Sequence, residues 1–171
     1  MFESLIRIPK DRVAVLIGVK GSVKKSIEKR TGTRVAISKE GEVVISCEDN
    51  LKVYITTSIV KAIGRGFNPI VALSLWNEKN AFEIINIRDF AGKSEKKLQR
   101  IKSRLIGTKG KARTIIEKNT NTCIRVYGRT VGIIGKVEDV QVAKKALEKL
   151  IRGAPHGNVY MFIDTMKKRF E

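Results

Sequence analysis

The chain contains two copies of one sequence pattern, offset by 89 residues. Residues 16–21, Leu-Ile-Gly-Val-Lys-Gly, return at 105–110 as Leu-Ile-Gly-Thr-Lys-Gly, and the matches continue as far as Ile37 and Val126. The register then slips by about one residue near 39–42, where a turn is expected. A repeat of this length predicts two copies of one folding unit, which we place at 1–80 and 81–171.

Hydrophobic periodicity assigns the same first elements to both copies. Apolar residues predict a strand at 5–8 in the first copy and at 82–87 in the second. Two helices follow, one on each side of a Gly-x-x-Gly segment. Asp11 and Ser94 are the predicted N-caps of the leading helices, because short polar side chains accept the free N–H groups there. The second helices are expected to end at Gly32 and Asn121, residue types that accept the left-handed conformation.

A strand pair and a longer helix complete each copy. The strands are predicted at 33–38 with 43–47 and at 122–127 with 130–134, with Gly41 and Gly128 in the turns. The closing helices are predicted over 50–63 and 137–152. Their apolar faces are formed by Leu51, Ile55, Ile59 and Ile63 in the first copy and by Val140, Ala143, Leu147 and Ile151 in the second.

This order predicts an α+β protein with two domains, each a three-stranded sheet packed by helices. Two segments lie outside the repeat. Residues 67–80 are predicted to form a linker helix packed between the copies. The tail carries an amphipathic stretch from Val159 to Phe170, which predicts a C-terminal helix.

The charge indicates a polyanionic partner. The chain of 171 residues has a net charge of +18 at pH 7, which a nucleic acid or an anionic membrane would neutralise. No apolar run approaches the ~20 residues that span a bilayer, and the N-terminus has no signal-peptide pattern, so we expect a cytoplasmic protein. One His and two distant Cys cannot supply a zinc site or a disulfide framework. We therefore expect no metal and no cofactor.

No residue pattern indicates an enzyme. His156, the only histidine, lies in a predicted turn, and Cys47 and Cys123 are predicted as small core residues in or beside strands rather than nucleophiles. Glu28 and Glu117 recur in both copies next to lysines, and they are predicted as solvated ion-pair partners rather than catalytic carboxylates.

A Gly-x-x-Gly segment between two helices favours anion binding. Glycine lets a ligand approach the backbone closely, and the second helix begins with free N–H groups and a positive dipole end. Lys20 and Lys109 add a charge within the two segments. The neighbouring apolar side chains are predicted to form a floor beneath a few bases; they are Ile17, Val35 and Ile37 in one copy and Ile106, Ile124 and Val126 in the other.

These features resemble the type I KH domain, and the chain as a whole resembles a tandem of two, with the order βααββα. The resemblance implies that the Gly-x-x-Gly loop clamps about four single-stranded nucleotides. One position departs from the general KH pattern. Lys24 and Arg113 stand where an apolar residue is usual, and Val23 and Ala112, one position earlier, are expected to take over the packing.

The basic loop at 107–113 and the tail Gly-Ala-Pro-His-Gly-Asn-Val-Tyr at 153–160 resemble the Partner-of-Nob (Dim-two-like) family of ribosome-assembly proteins. The eukaryotic members carry an N-terminal extension that this sequence does not show, so the resemblance implies an archaeal form. It also implies binding near the 3′ end of small-subunit ribosomal RNA. The implied protein partners are the Nob endonuclease and the Dim-type rRNA dimethyltransferase. Because the repeat supplies an internal pair, we expect a monomer.

The second copy is the predicted main RNA-binding unit. Residues 1–80 have 14 basic and 8 acidic residues, whereas residues 81–171 have 21 basic and 9 acidic. The predicted RNA contacts of the second copy are Arg104, Ile106, Gly107, Thr108, Lys109, Gly110, Lys111, Arg113, Ile124, Arg125 and Val126. The weaker predicted contacts of the first copy are Gly18, Val19, Lys20, Gly21, Lys24 and Arg34. The alternative is a DNA-binding regulator of the helix-turn-helix type, which also joins two helices through a Gly-containing turn.

Overall fold

The computed structural model describes residues 1–170 and divides into two compact units between Glu78 and Lys79. The first unit contains, in chain order, β1 (Phe2–Arg7), α1 (Lys10–Ile17), α2 (Ser22–Thr31), β2 (Arg34–Ile37), β3 (Glu42–Cys47), α3 (Asn50–Gly64) and α4 (Pro69–Leu73). The second contains β4 (Asn80–Asn86), α5 (Arg88–Ala91), α6 (Glu95–Ile106), α7 (Lys111–Thr120), β5 (Cys123–Tyr127), β6 (Thr130–Lys136), α8 (Val137–Ile151) and α9 (His156–Phe170).

Each unit has an antiparallel three-stranded sheet whose last strand in sequence lies in the middle. The strand orders are β1-β3-β2 and β4-β6-β5. Ile45 on β3 faces Ser4 on one side and Val35 on the other. In the second sheet, Val131 on β6 lies between Ile85 and Val126 in the same way. The α+β prediction, with one three-stranded sheet per copy, is confirmed.

Helices cover one face of each sheet and enclose a core of aliphatic side chains. In the first unit Leu16, Ile27, Ile45 and Ile59 are fully buried. In the second unit the fully buried side chains include Ile87, Ile116, Ile133, Val140 and Leu147. Burial on the helices follows their spacing, because residues three or four apart share one helix face, whereas Ile45 and Ile133 lie on the covered face of their strands.

The helix boundaries agree with the predicted caps at three of four positions. Gly32 and Asn121 both have left-handed backbone and end α2 and α7. The Ser94 hydroxyl accepts a hydrogen bond from the Lys97 N–H at 3.1 Å. The prediction of Asp11 as an N-cap is wrong. Pro9 is the capping residue, and its carbonyl accepts the Arg12 N–H at 2.9 Å. Asp11 therefore lies inside the first turn of α1 and not at its N-cap.

Two other predictions need correction. Leu51 is 64% exposed, because the buried face of α3 runs through Val53, Thr56, Ile59 and Ile63 instead. The linker helix predicted over 67–80 is only the five-residue α4, followed by a 3-10 turn at 74–76. Pro69 starts α4 at a position that needs no N–H, and Phe67, ahead of it, is fully buried.

An arginine from the leading helix binds the end of the closing helix in both units. In the first unit, Arg12 donates to the carbonyls of Ile63 and Phe67 at 2.8 and 3.0 Å. In the second, Arg104 donates to the carbonyls of Leu150 and Ala154 at 3.2 and 2.5 Å. Terminal carbonyls of a helix have no partner within it. The Ile63 and Leu150 carbonyls also accept the N–H groups of Gly66 and Gly153 at 3.1 Å. Each guanidinium therefore adds a second donor there and ties the leading helix to the segment that follows the closing helix.

Candidate nucleic-acid interface

The two Gly-x-x-Gly loops have the same backbone. The first glycines, Gly18 and Gly107, have φ/ψ of 76/173° and 76/175°. The lysines between the glycines, Lys20 and Lys109, are both left-handed, with φ of 55° and 54°. A lysine pays an energetic cost in that region that glycine does not. This backbone turns the chain sharply, so that the second helix starts directly beside the end of the first.

Close packing explains the first glycine of each loop. A Cβ atom built on Gly107 would lie 2.8 Å from both the Cβ and the N of Ala112. A Cβ on Gly18 would lie 2.6 Å from Cγ2 of Val23. The second glycines are less constrained, because a Cβ on Gly110 would meet only the flexible Arg113 guanidinium, at 3.8 Å. Val23 and Ala112 thus pack against the loop, as expected from their position.

The second loop presents a positively charged surface beside the start of α7, where the N–H groups of Gly110 and Lys111 donate to the carbonyls of Gly107 and Thr108. Thr108, Lys109 and Lys111 are exposed. No side chain caps the N-terminus of α7, so its first N–H groups have no partner within the helix. These groups and the helix dipole favour an anion, and Lys109 and Lys111 add two full charges. A phosphodiester has the charge and the acceptor oxygens that this surface lacks.

Beside the loop, Glu117 organises a group of charged residues. Its carboxylate accepts the N–H of Ile124 at 2.9 Å. The same carboxylate lies 3.4 Å from Nε of Arg113 and 3.5 Å from a guanidinium nitrogen of Arg125. In the first unit, Glu28 accepts the N–H of Val35 at 2.9 Å in the same way. The prediction of an ion-pair partner is confirmed for Glu117, but the prediction that both glutamates are solvated is wrong, because each one is partly buried and ties a helix to a strand edge.

The predicted floor residues lie at different depths. Ile106 and Val126 are partly exposed, whereas Ile124 is 1% exposed and packs in the core. Ile124 therefore supports the floor from beneath and offers no surface to a base. In the first unit, Ile17 and Ile37 line a groove of about 340 Å³. Gly21, Lys24, Lys25 and Glu28 complete its walls.

The other predicted contacts are placed as follows. Val19, Lys20 and Arg34 are exposed on the first unit, and Val19 is 80% exposed at the tip of its loop. In the second unit, Arg113 and Arg125 are partly buried beside Glu117. Arg104 differs from the rest, because its guanidinium already holds the end of α8. The repeat offset could not reveal this contact, which spans 46 and 50 residues.

The prediction of Cys47 and Cys123 as core residues is wrong, because both side chains are only partly buried. Burial, followed by the neighbouring Glu117 carboxylate, raises the pKa of the Cys123 thiol above its ordinary value. A raised pKa disfavours the thiolate, which is the nucleophilic form. Nε2 of His156 lies 3.0 Å from the Arg104 carbonyl. Because a carbonyl can only accept, this nitrogen carries the proton. Within residues 1–170, no group of three or more His, Cys, Asp and Glu could hold a metal ion.

None of the helices within residues 1–170 is long and apolar enough to cross a membrane.

The basic stretch from Arg88 to Arg113 contains cations with protein partners and cations exposed to solvent. Arg88 pairs with Glu95, and Arg104 binds carbonyls. The exposed cations of this stretch are Lys93, Lys96, Lys97, Arg100, Lys109 and Lys111. These residues extend from the start of α6 to the loop.

The strand order, the paired helices and the Gly-x-x-Gly loop define two type I KH domains in tandem. Family models agree with this assignment. The model for the second KH domain of PNO1, described as a eukaryotic-type (type I) KH domain, matches residues 81–168. The general KH-domain model matches residues 3–58. The helix pairs are therefore parts of KH domains rather than of a helix-turn-helix.

Curated proteins show the same relationship. The chain is 45% identical to a KH domain-containing protein of Methanocaldococcus jannaschii, over 98% of this chain and 75% of that protein. It is 32% identical to the pre-rRNA-processing protein pno1 of Aspergillus fumigatus, over 65% of this chain and 46% of that protein. The chain therefore spans about half the length of this fungal relative. The chain belongs to the KH-domain family that includes PNO1 and archaeal Dim2p.

Solved structures have the same fold over nearly the whole chain. Dim2p from Pyrococcus horikoshii is 47% identical, with a TM-score of 0.89 over 96% of this chain and 99% of that one. A protein of unknown function from Aeropyrum pernix is 32% identical, with a TM-score of 0.94 over 99% and 92%. A third structure is the a/eIF2alpha–aDim2p–rRNA complex of Pyrococcus horikoshii. Its matching chain is 48% identical, with a TM-score of 0.90 over 98% of this chain and 95% of that one.

Proposed function

We propose that this protein binds single-stranded RNA as an assembly factor of the small ribosomal subunit. Its proposed target is the region near the 3′ end of small-subunit rRNA, held mainly by the loop and groove of the second KH domain. The observation that carries the proposal is the loop at 107–110. It contains two glycines and leads into α7, whose N-terminus has no side-chain cap. The exposed Lys109 lies in the loop, and the exposed Lys111 follows it directly. The related Dim2p from Pyrococcus is known in a complex with rRNA, which supports the choice of target.

The two domains share a loop backbone but differ in charge, which supports a division of labour. The second copy has a net charge of +12 and the first has +6. At the loop tips, Thr108 stands where the first copy has the apolar Val19. We propose that the first domain binds RNA more weakly or contacts a protein instead.

Two paired variants test this assignment. RNA matching the 3′ end of small-subunit rRNA is titrated with wild type, with Thr108→Asp/Lys109→Asp and with Val19→Asp/Lys20→Asp, at several salt concentrations. The first variant is expected to lose most of the affinity and the second to lose much less. The salt slope is the steepness with which the logarithm of the affinity falls as the logarithm of the salt concentration rises. Each phosphate contact removed lowers it by roughly 0.7 for a single strand.

The outcomes separate the alternatives. Equal losses in both variants, or no loss in the second-domain variant, would contradict the assignment to the second domain. Tighter binding of duplex DNA than of the RNA would instead favour the DNA-binding alternative. Circular dichroism of both variants controls for misfolding.

The remaining functional assignments rest on the family. We propose that the protein acts in the cytoplasm as a monomer, binding RNA without transforming it. Its proposed partners are a Nob-type endonuclease and a Dim-type rRNA dimethyltransferase. Light scattering of the free protein tests the monomer, and pull-down with each purified enzyme, with and without the rRNA fragment, tests the partners.

A further inference from the structure

A second cavity lies in the second KH domain, on the side of the loop that faces α9. It measures about 450 Å³ and is bounded by α6, the Gly-x-x-Gly loop, the start of α7 and the start of α9. In this domain the groove predicted from the sequence is the surface over Ile106 and Val126, neither of which lines this cavity. The two sites thus share loop residues and differ in their other lining residues.

The lining combines an apolar wall with a basic and hydroxylated rim. Ala112 and the half-buried ring of Tyr160 contribute apolar surface. The exposed side chains of Arg100 and Lys111 bring two positive charges, and Ser103 and Thr108 bring two hydroxyls. A ligand that matches this lining carries a negative charge, several hydrogen-bonding atoms and a flat apolar face. A nucleotide has all three.

The first KH domain provides an internal comparison. At the offset of 89 residues, Arg100 corresponds to Asp11 and Lys111 to Ser22. Ser103 and Thr108 correspond to Ala14 and Val19. The cations and hydroxyls of the cavity are therefore specific to the second copy, although the loop backbone is the same in both. The first copy forms the same loop without Arg100 and Lys111, so the fold of the loop does not depend on these two charges.

The C-terminal helix places the aromatic side of the cavity. Val159 and Ile163 bury α9 in the domain core, while Tyr160 turns toward the loop. His156 is fixed by the hydrogen bond of its Nε2 to the Arg104 carbonyl, and its ring lies 6.3 Å from that of Tyr160. A tyrosine hydroxyl is neutral at physiological pH and can donate a hydrogen bond, and burial raises the pKa of the Tyr160 hydroxyl further. A ring held by a packed helix offers a base a stacking surface at little entropic cost.

We propose that this cavity holds one further nucleotide of the bound single-stranded RNA, next to those clamped in the groove. Its base stacks on Tyr160 and its phosphate contacts Arg100 and Lys111. The inference rests on the proposed function, because it assumes that the strand reaches the loop at 107–110. It adds a length dependence: a strand long enough to pass the loop binds more tightly than one that fills the groove alone.

The test combines RNA length with substitution. Affinities are measured by fluorescence anisotropy for a four-nucleotide RNA and for versions extended by three nucleotides at either end. Tyr160→Ala is expected to weaken binding of one extended RNA about tenfold and to leave the short RNA unchanged. Tyr160→Phe keeps the ring and is expected to retain most of the affinity. Arg100→Glu changes an exposed side chain and provides a second variant in case Tyr160→Ala does not fold.

Controls keep the two proposals distinguishable. Met161→Ala, on the exposed side of the same helix, is the matched control and is expected to bind every RNA like wild type. One result would overturn the cavity proposal alone. In it, Thr108→Asp/Lys109→Asp loses affinity for the short RNA, while Tyr160→Ala and Arg100→Glu leave the affinity for both extended RNAs unchanged. No loss in the loop variant would overturn the proposed function. Equal weakening of short and long RNA by Tyr160→Ala would also contradict a site for an added nucleotide.

Discussion

Glu117 holds together the strand edge and the arginines beside the second loop. Replacing it with Ala is expected to lower the free energy of unfolding by about 2 kcal/mol, because the Ile124 N–H loses a charged acceptor. Glu117→Gln keeps an acceptor oxygen and is expected to cost less. Urea unfolding measures the loss, and hydrogen exchange at the Ile124 amide locates it.

The matched variant is Glu28→Ala in the first unit, which breaks the equivalent hydrogen bond to Val35. It is expected to speed exchange at the Val35 amide and to leave Ile124 protected. Fast exchange at both amides in either variant would show that the two bonds do not act locally.

Lys109 carries an exposed charge on a strained backbone. Its φ of 54° lies in the left-handed region, which is costly for any residue with a Cβ and most costly for a β-branched one. Lys109→Val is therefore expected to be less stable than Lys109→Gly by about 1 kcal/mol or more. Both variants lose the same charge, so both are expected to weaken RNA binding.

Thermal or urea unfolding compares the two Lys109 variants, with Lys20→Val and Lys20→Gly as the equivalent pair in the first loop. Equal stability of the Val and Gly variants at either loop would contradict the strained backbone. The strain is localised where the proposed ligand binds, as expected for a loop shaped by its function.

Individual contacts were the least predictable part of the molecule. Glu28 and Glu117 stand beside lysines in sequence, yet their partners are strand amides seven residues further on. Asp11 has the chemistry of an N-cap, but Pro9 closes the first turn before it. Ser94 was predictable, because its partner is only three residues away. Periodicity gives the face of an element, and only tertiary packing gives a partner.

The helix–loop–helix unit depends on two glycines with different roles. Gly107→Ala combines a backbone region reserved for glycine with a contact of 2.8 Å to Ala112. It is expected to destabilise the protein by about 3 kcal/mol or more and to abolish RNA binding. Gly110→Ala places its Cβ in nearly open space. It is expected to lower the free energy of unfolding by about 1–2 kcal/mol, because alanine disfavours the left-handed backbone.

Chemical unfolding with circular dichroism ranks the two glycine variants. A Gly110→Ala variant as unstable as Gly107→Ala would contradict the difference in packing. If either variant kept wild-type affinity for RNA, the close backbone approach proposed for this loop would be wrong.

Most elements were predictable because their signals are local. The left-handed ends at Gly32 and Asn121, the turns at Gly41 and Gly128 and the closing helices all follow from residue type and spacing. The short helix α5 was not predicted, because four residues are too few to show a helical period. Leu51 has the spacing of a core residue but lies in the first turn of α3, where it is exposed.

The position of positive charge, rather than its amount, is expected to determine RNA binding. Lys96→Glu/Lys97→Glu changes two exposed residues at the start of α6, and Lys167→Glu/Lys168→Glu changes two exposed residues near the end of α9. Both pairs alter the net charge equally. The first pair is expected to lower the salt slope by up to roughly 1.4, from two lost phosphate contacts, and the second to lower it less.

Anisotropy titrations over a range of salt concentrations compare the two pairs. Identical slopes would mean that the RNA responds only to the overall field of the protein.

The two-copy organisation and the excess of charge in the second copy were visible in the sequence. The cavity beside Tyr160 was not, because it brings together residues 100–112 and 156–160 from separate helices.

The strand orders leave β1, β2, β4 and β5 at the edges of their sheets. An edge strand has backbone groups that can pair with another chain, and like charges on the two chains oppose such pairing. The net charge of +18 therefore also acts as a colloidal stabiliser. Concentrated salt that strips bound RNA from the protein screens this repulsion at the same time. Protein freed of RNA in this way is expected to self-associate, which light scattering at rising ionic strength would detect.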